Sequence, residues 1–207
     1  GRRGWRGGAC PVQSQGPSVK TVAVLGGGPA GAMAARRLAE GGIRAVLFDE
    51  KLAWEKPCGG GVTFKAYQRY PYLLDSGLHR SISRTCLHSE EAGAARLTLD
   101  KPMLIFSRRE LNQLLLDRAH DAGVELRRER VIGVNRAGEG WRVRTPKGEF
   151  AADFAIVAMG ARNPLRQMGT AFCPADAMTA LGYYVPREQG HVDIEFFSGY
   201  EGYIWVF

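Results

Sequence analysis

Hydrophobic positions near the start of the chain form two short buried runs on either side of one helical run. Thr21–Leu25 is apolar and β-branched and ends in glycines, and Ala45–Phe48 is a second apolar run, as expected of strands buried on both faces. Between them, Pro29–Glu40 is rich in Ala, Arg and Leu and stops at Gly41-Gly42, as a helix does. The pattern predicts a β-α-β unit of about 30 residues, in which the helix crosses between parallel strands.

Later segments predict one more helix and a series of strands. Arg108–Ala122 has Leu111, Leu115 and Ala119 on one face and is followed by Gly123, which predicts a helix. Short strands are predicted at Ile82–Leu99 (one or two strands), at Val124–Leu126, and in a meander of Val131–Val134, Trp141–Thr145 and Phe150–Ala158. The last two runs are expected to form an antiparallel pair, Val192–Phe197 with Tyr203–Phe207.

These elements predict an α/β fold in two parts. Residues 1–18 are rich in Gly, Arg, Ser, Gln and Pro without an apolar period, which predicts a disordered tail. A nucleotide-binding type of domain with a parallel sheet and a β-meander crossover is expected over 19–170, with an inserted loop and strand segment at about 63–105. Residues 171–207 are expected to begin a mainly antiparallel substrate domain, truncated because the sequence stops inside an apolar strand.

Composition and charge exclude several classes of protein. Apolar residues make up 45% and charged residues 24%, as in soluble globular domains. Of the 28 basic residues, three lie in the first 18 positions, and the other 25 face 21 acidic residues. No stripe of basic residues with interleaved aromatics is present, so nucleic acid is not an expected partner. The cysteines are far apart, which favours a reducing, cytoplasmic location over a disulfide framework: Cys10, Cys58, Cys86 and Cys173.

A glycine-rich motif joins the first predicted strand to the first predicted helix. The sequence Gly26-Gly27-Gly28-Pro29-Ala30-Gly31 fits the pattern G-x-G-x-x-G. It follows a buried strand, opens a helix, and is followed 18 residues after Gly31 by Asp49 at the end of the next strand. The motif in this full context predicts a dinucleotide-binding site.

Each position of the motif has a physical role in such a site. Gly26 makes the tight turn, Gly28 lets the backbone approach a pyrophosphate, and Gly31 lets helix and strand pack closely. The helix start at Pro29-Ala30 presents free N–H groups and the positive end of the helix dipole to the phosphates. The acidic pair Asp49-Glu50 is expected at the ribose, because a carboxylate accepts hydrogen bonds from a ribose diol.

Four stretches resemble a known family and favour FAD over NAD. The glycine motif with Ala35-Arg36 downstream resembles the FAD-binding start of the para-hydroxybenzoate hydroxylase superfamily. The loop Lys56–Val62 (Lys-Pro-Cys-Gly-Gly-Gly-Val) resembles a loop of geranylgeranyl reductases. Arg108–Asn112 resembles the arginine-led helix start that contacts FAD in the superfamily. Tyr203–Phe207 resembles the Y-x-W-x-F-P signature of geranylgeranyl reductases.

The resemblance implies a Rossmann-like FAD-dependent oxidoreductase that reduces C=C bonds of a geranylgeranyl-type isoprenoid by hydride transfer from reduced flavin. It implies FAD as cofactor, NAD(P)H or another reductant as electron donor, and an isoprenoid or lipid substrate bound between the two domains. Peripheral membrane contact is compatible with such a substrate. The resemblance also implies cofactor contacts at Gly59, Gly60, Arg108 and Gly160.

Other activities stay open at this stage. Met159 stands where the hydroxylases carry an aspartate, in the stretch from Val157 to Arg166, which weakens a hydroxylase interpretation. The alternatives are an FAD-dependent monooxygenase, a halogenase, a flavoprotein dehydrogenase that relays electrons to a quinone, and a non-catalytic remnant. A halogenase needs a catalytic lysine motif, and the sequence shows none.

Several single residues allow two interpretations each. Cys58, beside Lys56 and flanked by proline and glycines, is either a reactive thiolate with a catalytic role or a small buried filler. Arg108 is poorly placed for the helix dipole unless a phosphate binds nearby; otherwise it is a solvated arginine. Alternating aromatic residues of the last strand line either a core or an apolar substrate cavity, and the resemblance favours the cavity: Tyr203, Trp205 and Phe207.

No metal site and no hydrolase site is predicted. The histidines show no ligand spacing, and Cys86-x-His88 is only half of a site. The other histidines are expected to be structural or solvent-exposed: His79, His120 and His191.

Overall fold

A computed structural model describes residues 20–161, 163–165, 168, 175 and 178–207. The predicted tail lies outside the described residues, as do Cys10, Cys173, Arg166 and the predicted domain boundary at 170–171. In chain order the elements are β1 (Thr21–Leu25), α1 (Pro29–Glu40), β2 (Arg44–Asp49), β3 (Gly61–Val62), α2 (Phe64–Arg69), α3 (Tyr72–Asp75), β4 (His79–Ser89), β5 (Gly93–Phe106), α4 (Arg108–Asp121), β6 (Glu125–Arg128), β7 (Gly133–Ala137), β8 (Gly140–Thr145), β9 (Gly148–Ala152), β10 (Phe154–Val157), β11 (Val192–Phe196) and β12 (Tyr203–Val206).

A four-stranded parallel sheet of order β10-β1-β2-β6 forms the centre of the first part. Its two central strands, β1 and β2, are buried on both faces, which explains their continuous apolar runs. Val24 and Leu47 point to the layer that contains α1 and α4. Leu25 and Phe48 point to the opposite layer, which is the antiparallel meander β7-β8-β9. The predicted β-α-β unit and the α/β fold class are confirmed.

A second, five-stranded sheet has the order β12-β11-β4-β5-β3. Its strands are antiparallel neighbours except for β11, which runs parallel to β4. The segment predicted as an insertion at about 63–105 supplies β4 and most of β5, and the predicted start of the substrate domain supplies β11 and β12. Two segments far apart in sequence therefore share one sheet. The predicted antiparallel pairing of the last two strands is confirmed.

Three details of the predicted secondary structure were wrong. The run Phe150–Ala158 is two strands in two sheets, β9 in the meander and β10 in the parallel sheet. Asp153 marks the break: its N–H donates to the Thr21 carbonyl (2.9 Å), and its carboxylate accepts from the Thr21 N–H (2.7 Å). The first meander strand is shifted from Val131–Val134 to β7, and the short elements β3, α2 and α3 were not predicted.

None of the helices in the described part of the chain is long and apolar enough to cross a membrane.

Candidate active site

The glycine motif forms a tight connection between β1 and α1. Gly26 has a φ of +111°, a conformation that side chains other than glycine rarely adopt, and its N–H donates to the Phe48 carbonyl (2.8 Å). A Cβ on Gly31 would overlap the Gly26 carbonyl oxygen. Helix and strand thus approach so closely that only glycine is accommodated at these two positions.

The space in front of the motif is open. Within the described part of the chain, a Cβ on Gly28 would have no neighbour within 4 Å, although glycines on both sides of it are crowded. Gly28 is the N-cap of α1, no described side chain caps this helix end, and its first turn holds no acidic residue. An uncapped helix start with free N–H groups is a ready site for phosphate oxygens.

Asp49 at the end of β2 holds the motif in place. One carboxylate oxygen accepts from the Gly27 N–H (2.7 Å), and the other accepts from the N–H groups of Lys51 (2.8 Å) and Leu52 (2.6 Å). Three of the roughly four acceptor positions of the carboxylate are therefore occupied by the protein itself. The neighbouring Glu50 is exposed at the same strand end.

Cys58 and Arg108 come together at the start of α4. The Cys58 thiol is exposed and free. Burial acts to raise its pKa, but the Gly60 N–H, a hydrogen bond and the charge of Arg108, and the charge of Lys56 together hold the pKa below that of an ordinary thiol. The Arg108 Nε is buried and has no hydrogen-bond partner among the described residues. An orphaned buried donor next to a thiol is a feature that a bound ligand would satisfy.

Glu55, which the sequence analysis missed, occupies the N-terminus of α4. Its carboxylate accepts from the Ser107 hydroxyl (2.5 Å) and from the Arg108 N–H (2.8 Å). Burial raises the pKa of Glu55, but these hydrogen bonds and the backbone and charge of Arg109 outweigh it, so the pKa lies below its usual value. A helix start favours a nearby negative charge, and the Glu55 carboxylate supplies it at α4. From the sequence, a bound phosphate was expected to supply that charge.

Ser107 is the N-cap residue of α4 and accepts from the Glu110 N–H (3.4 Å). The pattern Ser107-x-x-Glu110 is a capping-box signature and agrees with the helix start at Arg108 that the sequence predicts. The contact with Glu55 has no such signal, because the residues lie 52 positions apart.

An open cleft of about 1190 Å³ lies beside this helix start. One wall is the loop with Pro57, Cys58 and Gly59, and another is the end of β12 with Trp205 and Phe207. The two walls are in contact, because a Cβ on Gly59 would overlap the Phe207 ring. The Cys58 loop and the aromatic strand therefore meet in one cleft.

The three aromatic residues of the last strand share one face. Ring centroids are 4.8 Å apart for Tyr203 and Trp205, and 6.2 Å apart for Trp205 and Phe207. Trp205 and Phe207 line the cleft, whereas Tyr203 stacks on Trp205 outside the cleft lining.

The predicted site residues fall into two groups. The first surrounds the glycine motif: Gly26, Gly28, Pro29, Ala30, Gly31, Asp49 and Glu50. The second group lies at the cleft: Cys58, Gly59, Trp205 and Phe207 line it, and Gly60 and Arg108 contact Cys58. Gly60 has a φ of +66°, and a Cβ there would overlap the Phe106 carbonyl. Gly160 follows β10 with a φ of +71°, and a Cβ there would have no neighbour within 4 Å among the described residues.

Comparison with known families decides the cofactor. The family described as FAD binding domain matches residues 19–177. The chain belongs to this FAD-binding family. The open space at Gly28 and the orphaned Arg108 Nε fit such a cofactor. Predicted FAD binding is confirmed at the level of the family, which is one of FAD-dependent oxidoreductases.

Relatives within the FAD-binding family include geranylgeranyl reductases. The chain is 33% identical over 112 residues to geranylgeranyl diphosphate reductase of Synechocystis, covering 52% of this chain and 27% of that protein. It is 25% identical over 207 residues to digeranylgeranylglycerophospholipid reductase of Methanosarcina mazei, covering 90% of this chain and 51% of the relative. The predicted resemblance to geranylgeranyl reductases is confirmed.

The fold matches that of a solved structure. A geranylgeranyl bacteriochlorophyll reductase-like protein of Thermoplasma acidophilum superposes with a TM-score of 0.71 at 19% identity, covering 91% of this chain and 53% of that structure. At this identity the likeness concerns the fold alone. The chain spans about half the length of the Methanosarcina mazei and Thermoplasma acidophilum proteins, and 27% of the length of the Synechocystis reductase.

Proposed function

We propose that the protein reduces C=C bonds of an isoprenoid substrate of the geranylgeranyl type. The observation that carries the proposal is the contact of Gly59 with the Phe207 ring, because it joins the Cys58 loop and the aromatic strand in one cleft. The names of the relatives, which include a geranylgeranyl and a digeranylgeranyl reductase, support the same substrate class.

The glycine motif and its neighbours would hold the FAD. The open Gly28 and the N-terminus of α1 would take the pyrophosphate, and Asp49-Glu50 would face the ribose. Arg108, with its unpartnered Nε, and Gly160 would complete the contacts. When bound, FAD supplies the hydride for reduction. The electron donor is NAD(P)H or another reductant.

The cleft residues would orient the alkene and exclude water. An unactivated alkene is a poor hydride acceptor, so alignment in an apolar site must supply much of the rate. Trp205 and Phe207 provide flat apolar surface on one side of the cleft. A lipid substrate of this kind also favours peripheral contact of a cytoplasmic protein with a membrane.

Cys58 is the residue we propose as proton donor to the second alkene carbon. Reduction adds a hydride to one carbon and a proton to the other, so each double bond gains two hydrogens. The lowered pKa of Cys58 moves its acidity towards the operating pH, where acid–base catalysis is most effective. Arg108 would stabilise the thiolate that remains.

The first test is a visible spectrum of the protein with FAD, before and after denaturation. A flavin spectrum with FAD released on denaturation supports the proposed FAD site. A protein that does not bind added FAD contradicts it. The second test supplies chemically reduced FAD protein with a geranylgeranyl lipid without oxygen and measures the product by mass spectrometry. We expect a gain of two hydrogens per reduced double bond.

Matched variants separate the roles of the cleft residues. Trp205→Ala should lower the rate strongly, whereas Tyr200→Ala, an exposed aromatic outside the cleft lining, should not. Cys58→Ser should lower kcat more than KM if Cys58 donates the proton. If the FAD protein instead consumes oxygen with NADPH and a substrate, the activity is that of a monooxygenase. If the FAD protein reduces a quinone, the activity is that of a flavoprotein dehydrogenase.

A further inference from the structure

A cluster of Cys, His and Asp side chains lies on one face of the five-stranded sheet. Cys86 on β4 is paired in register with Asp193 on β11. Side chains two positions apart on a strand share a face, so His88 lies on the same face as Cys86, and His191 precedes Asp193 by two positions. Trp205 is paired with Ile194 and therefore lies on the opposite face. The cluster is separate from the aromatic face of the cleft.

The side chains of this cluster are close enough to share one ion. The His191 Nε2 lies 3.1 Å from one oxygen of Asp193, and the His88 Nε2 lies 3.3 Å from the other. The ligand atoms of Cys86, His191 and Asp193 all lie within 4.8 Å of one another, and these three residues are half-buried.

We propose that Cys86, His191 and Asp193 bind a divalent transition-metal ion of the zinc class. One thiolate, one imidazole and one carboxylate form a ligand set that suits zinc, and a fourth position would be left for water. His88 contacts the Asp193 carboxylate but lies outside this group of three. Ligands at ~2.0–2.3 Å from a tetrahedral zinc ion lie roughly 3.3–3.8 Å from one another. The ligand atoms, all within 4.8 Å of one another, would have to move closer by up to about 1 Å to reach this range.

Charged residues of both signs lie on the strands around the cluster. Arg96 is paired with Cys86 on the far side of β4, and Arg84 lies two positions before Cys86. Glu195, paired with His88, adds negative charge on the same face and offsets the repulsion of a cation.

A metal at this position would fasten β11 to β4. These strands come from segments more than 100 residues apart, as the spacing of His88 and Asp193 indicates. Because β11 also carries β12, the ion would stabilise the wall of the cleft from behind. The proposal does not depend on the proposed function, because metal binding is measured without FAD or substrate.

The test is a titration of the purified, metal-free protein with Co²⁺, followed by competition with Zn²⁺. We expect one Co²⁺ per chain and a thiolate-to-cobalt charge-transfer absorption that Zn²⁺ abolishes. Cys86→Ser should remove that absorption, and the matched variant Cys58→Ser should retain it. His191→Gln keeps the thiol, and should lower the affinity at least ~10-fold, since even indirect partners of metal ligands contribute about that much.

Thermal unfolding gives a second readout that is independent of cobalt spectroscopy. Zn²⁺ should raise the melting temperature of the native protein, because a ligand that binds only the folded state stabilises it, and should not raise that of Cys86→Ser. A charge-transfer absorption that persists in Cys86→Ser would overturn the proposal, because the ion would then sit on another cysteine. So would the absence of this absorption in a native protein whose circular dichroism shows it to be folded.

Discussion

Asp49 fixes the glycine motif through its carboxylate, and this makes the substitution Asp49→Asn informative. The two carboxylate oxygens accept from three backbone N–H groups, one in the motif and two in the turn after β2. An asparagine of the same shape keeps one acceptor oxygen. Its NH₂ group must then face either the Gly27 N–H or the turn, where it is a donor opposite a donor.

The expected loss can be worked from these contacts. Hydrogen bonds to a charged group contribute about 1.5–3 kcal/mol each, and Asp49→Asn removes at least one of them. We therefore expect the free energy of unfolding without FAD to fall by about 1.5–3 kcal/mol. A motif that is no longer held in position should also bind FAD roughly tenfold or more weakly, since about 1.4 kcal/mol corresponds to a factor of ten.

Two measurements on the same protein separate positioning from direct contact with FAD. Urea unfolding without FAD gives the stability, and quenching of flavin fluorescence gives the Kd for FAD. The matched control is Asp153→Asn. The Asp153 carboxylate also accepts from a backbone N–H, that of Thr21, but Thr21 lies at the end of β1 away from the glycine motif. We expect this control to lose stability but to keep its affinity for FAD.

A positioning role for Asp49 is contradicted if Asp49→Asn binds FAD more weakly but unfolds at the same urea concentration as the native protein. Such a result would mean that the carboxylate contacts the ribose and does little for the empty motif. Unchanged stability together with unchanged affinity would refute both roles.

Three further substitutions test the other parts of the site. Gly28→Ala should keep the stability of the protein but bind FAD more weakly, because the new Cβ would occupy the open space in front of the motif. Gly31→Ala should lower both FAD affinity and stability, the latter by about 1–3 kcal/mol, because its Cβ would overlap the Gly26 carbonyl. Urea unfolding measures the stability and flavin titration the affinity. Glu55 contributes stability above its unfolded pKa of about 4.3, and this contribution is lost as the pH falls through the lower folded pKa, so Glu55→Gln should flatten the acid side of a stability–pH curve. The rate of Cys58 alkylation should rise at a pH below that of an ordinary thiol, and Arg108→Gln should move this midpoint upward; an unchanged midpoint would contradict the assigned contact.

The first half of the parallel sheet was predictable because its signals are local. Thr21–Leu25 and Pro29–Glu40 carry their periodicity, their glycines and their ends within a few residues, and the structure has the same bounds. The two helices α2 and α3 were missed because they are four to six residues long and each buries only one side chain. Periodicity over so short a window does not distinguish a helix from a loop.

The parts of the site that were missed depend on distant contacts. Glu55 reaches the start of α4 from a loop 52 positions earlier, and Cys86 meets Asp193 only because β11 runs parallel to β4. The break at Asp153 was invisible for the same reason, since its partner Thr21 lies 132 positions away. Sequence patterns indicated which residues could take part in binding or catalysis, and the topology of the fold determined which of them are in contact.

The parallel pairing of β11 with β4 also has a consequence for the order of folding. β4 and β5 are joined by a three-residue turn, whereas β11 must find β4 after more than 100 intervening residues. Closing a long loop costs more conformational entropy and is slower than forming a hairpin. We expect pulsed hydrogen exchange during refolding to protect the β4–β5 hairpin and the β-α-β unit before β11 and β12. The wall that carries Trp205 and Phe207 would then be the last part to form, so a newly made chain holds its nucleotide-binding loop before it has a place for an apolar molecule.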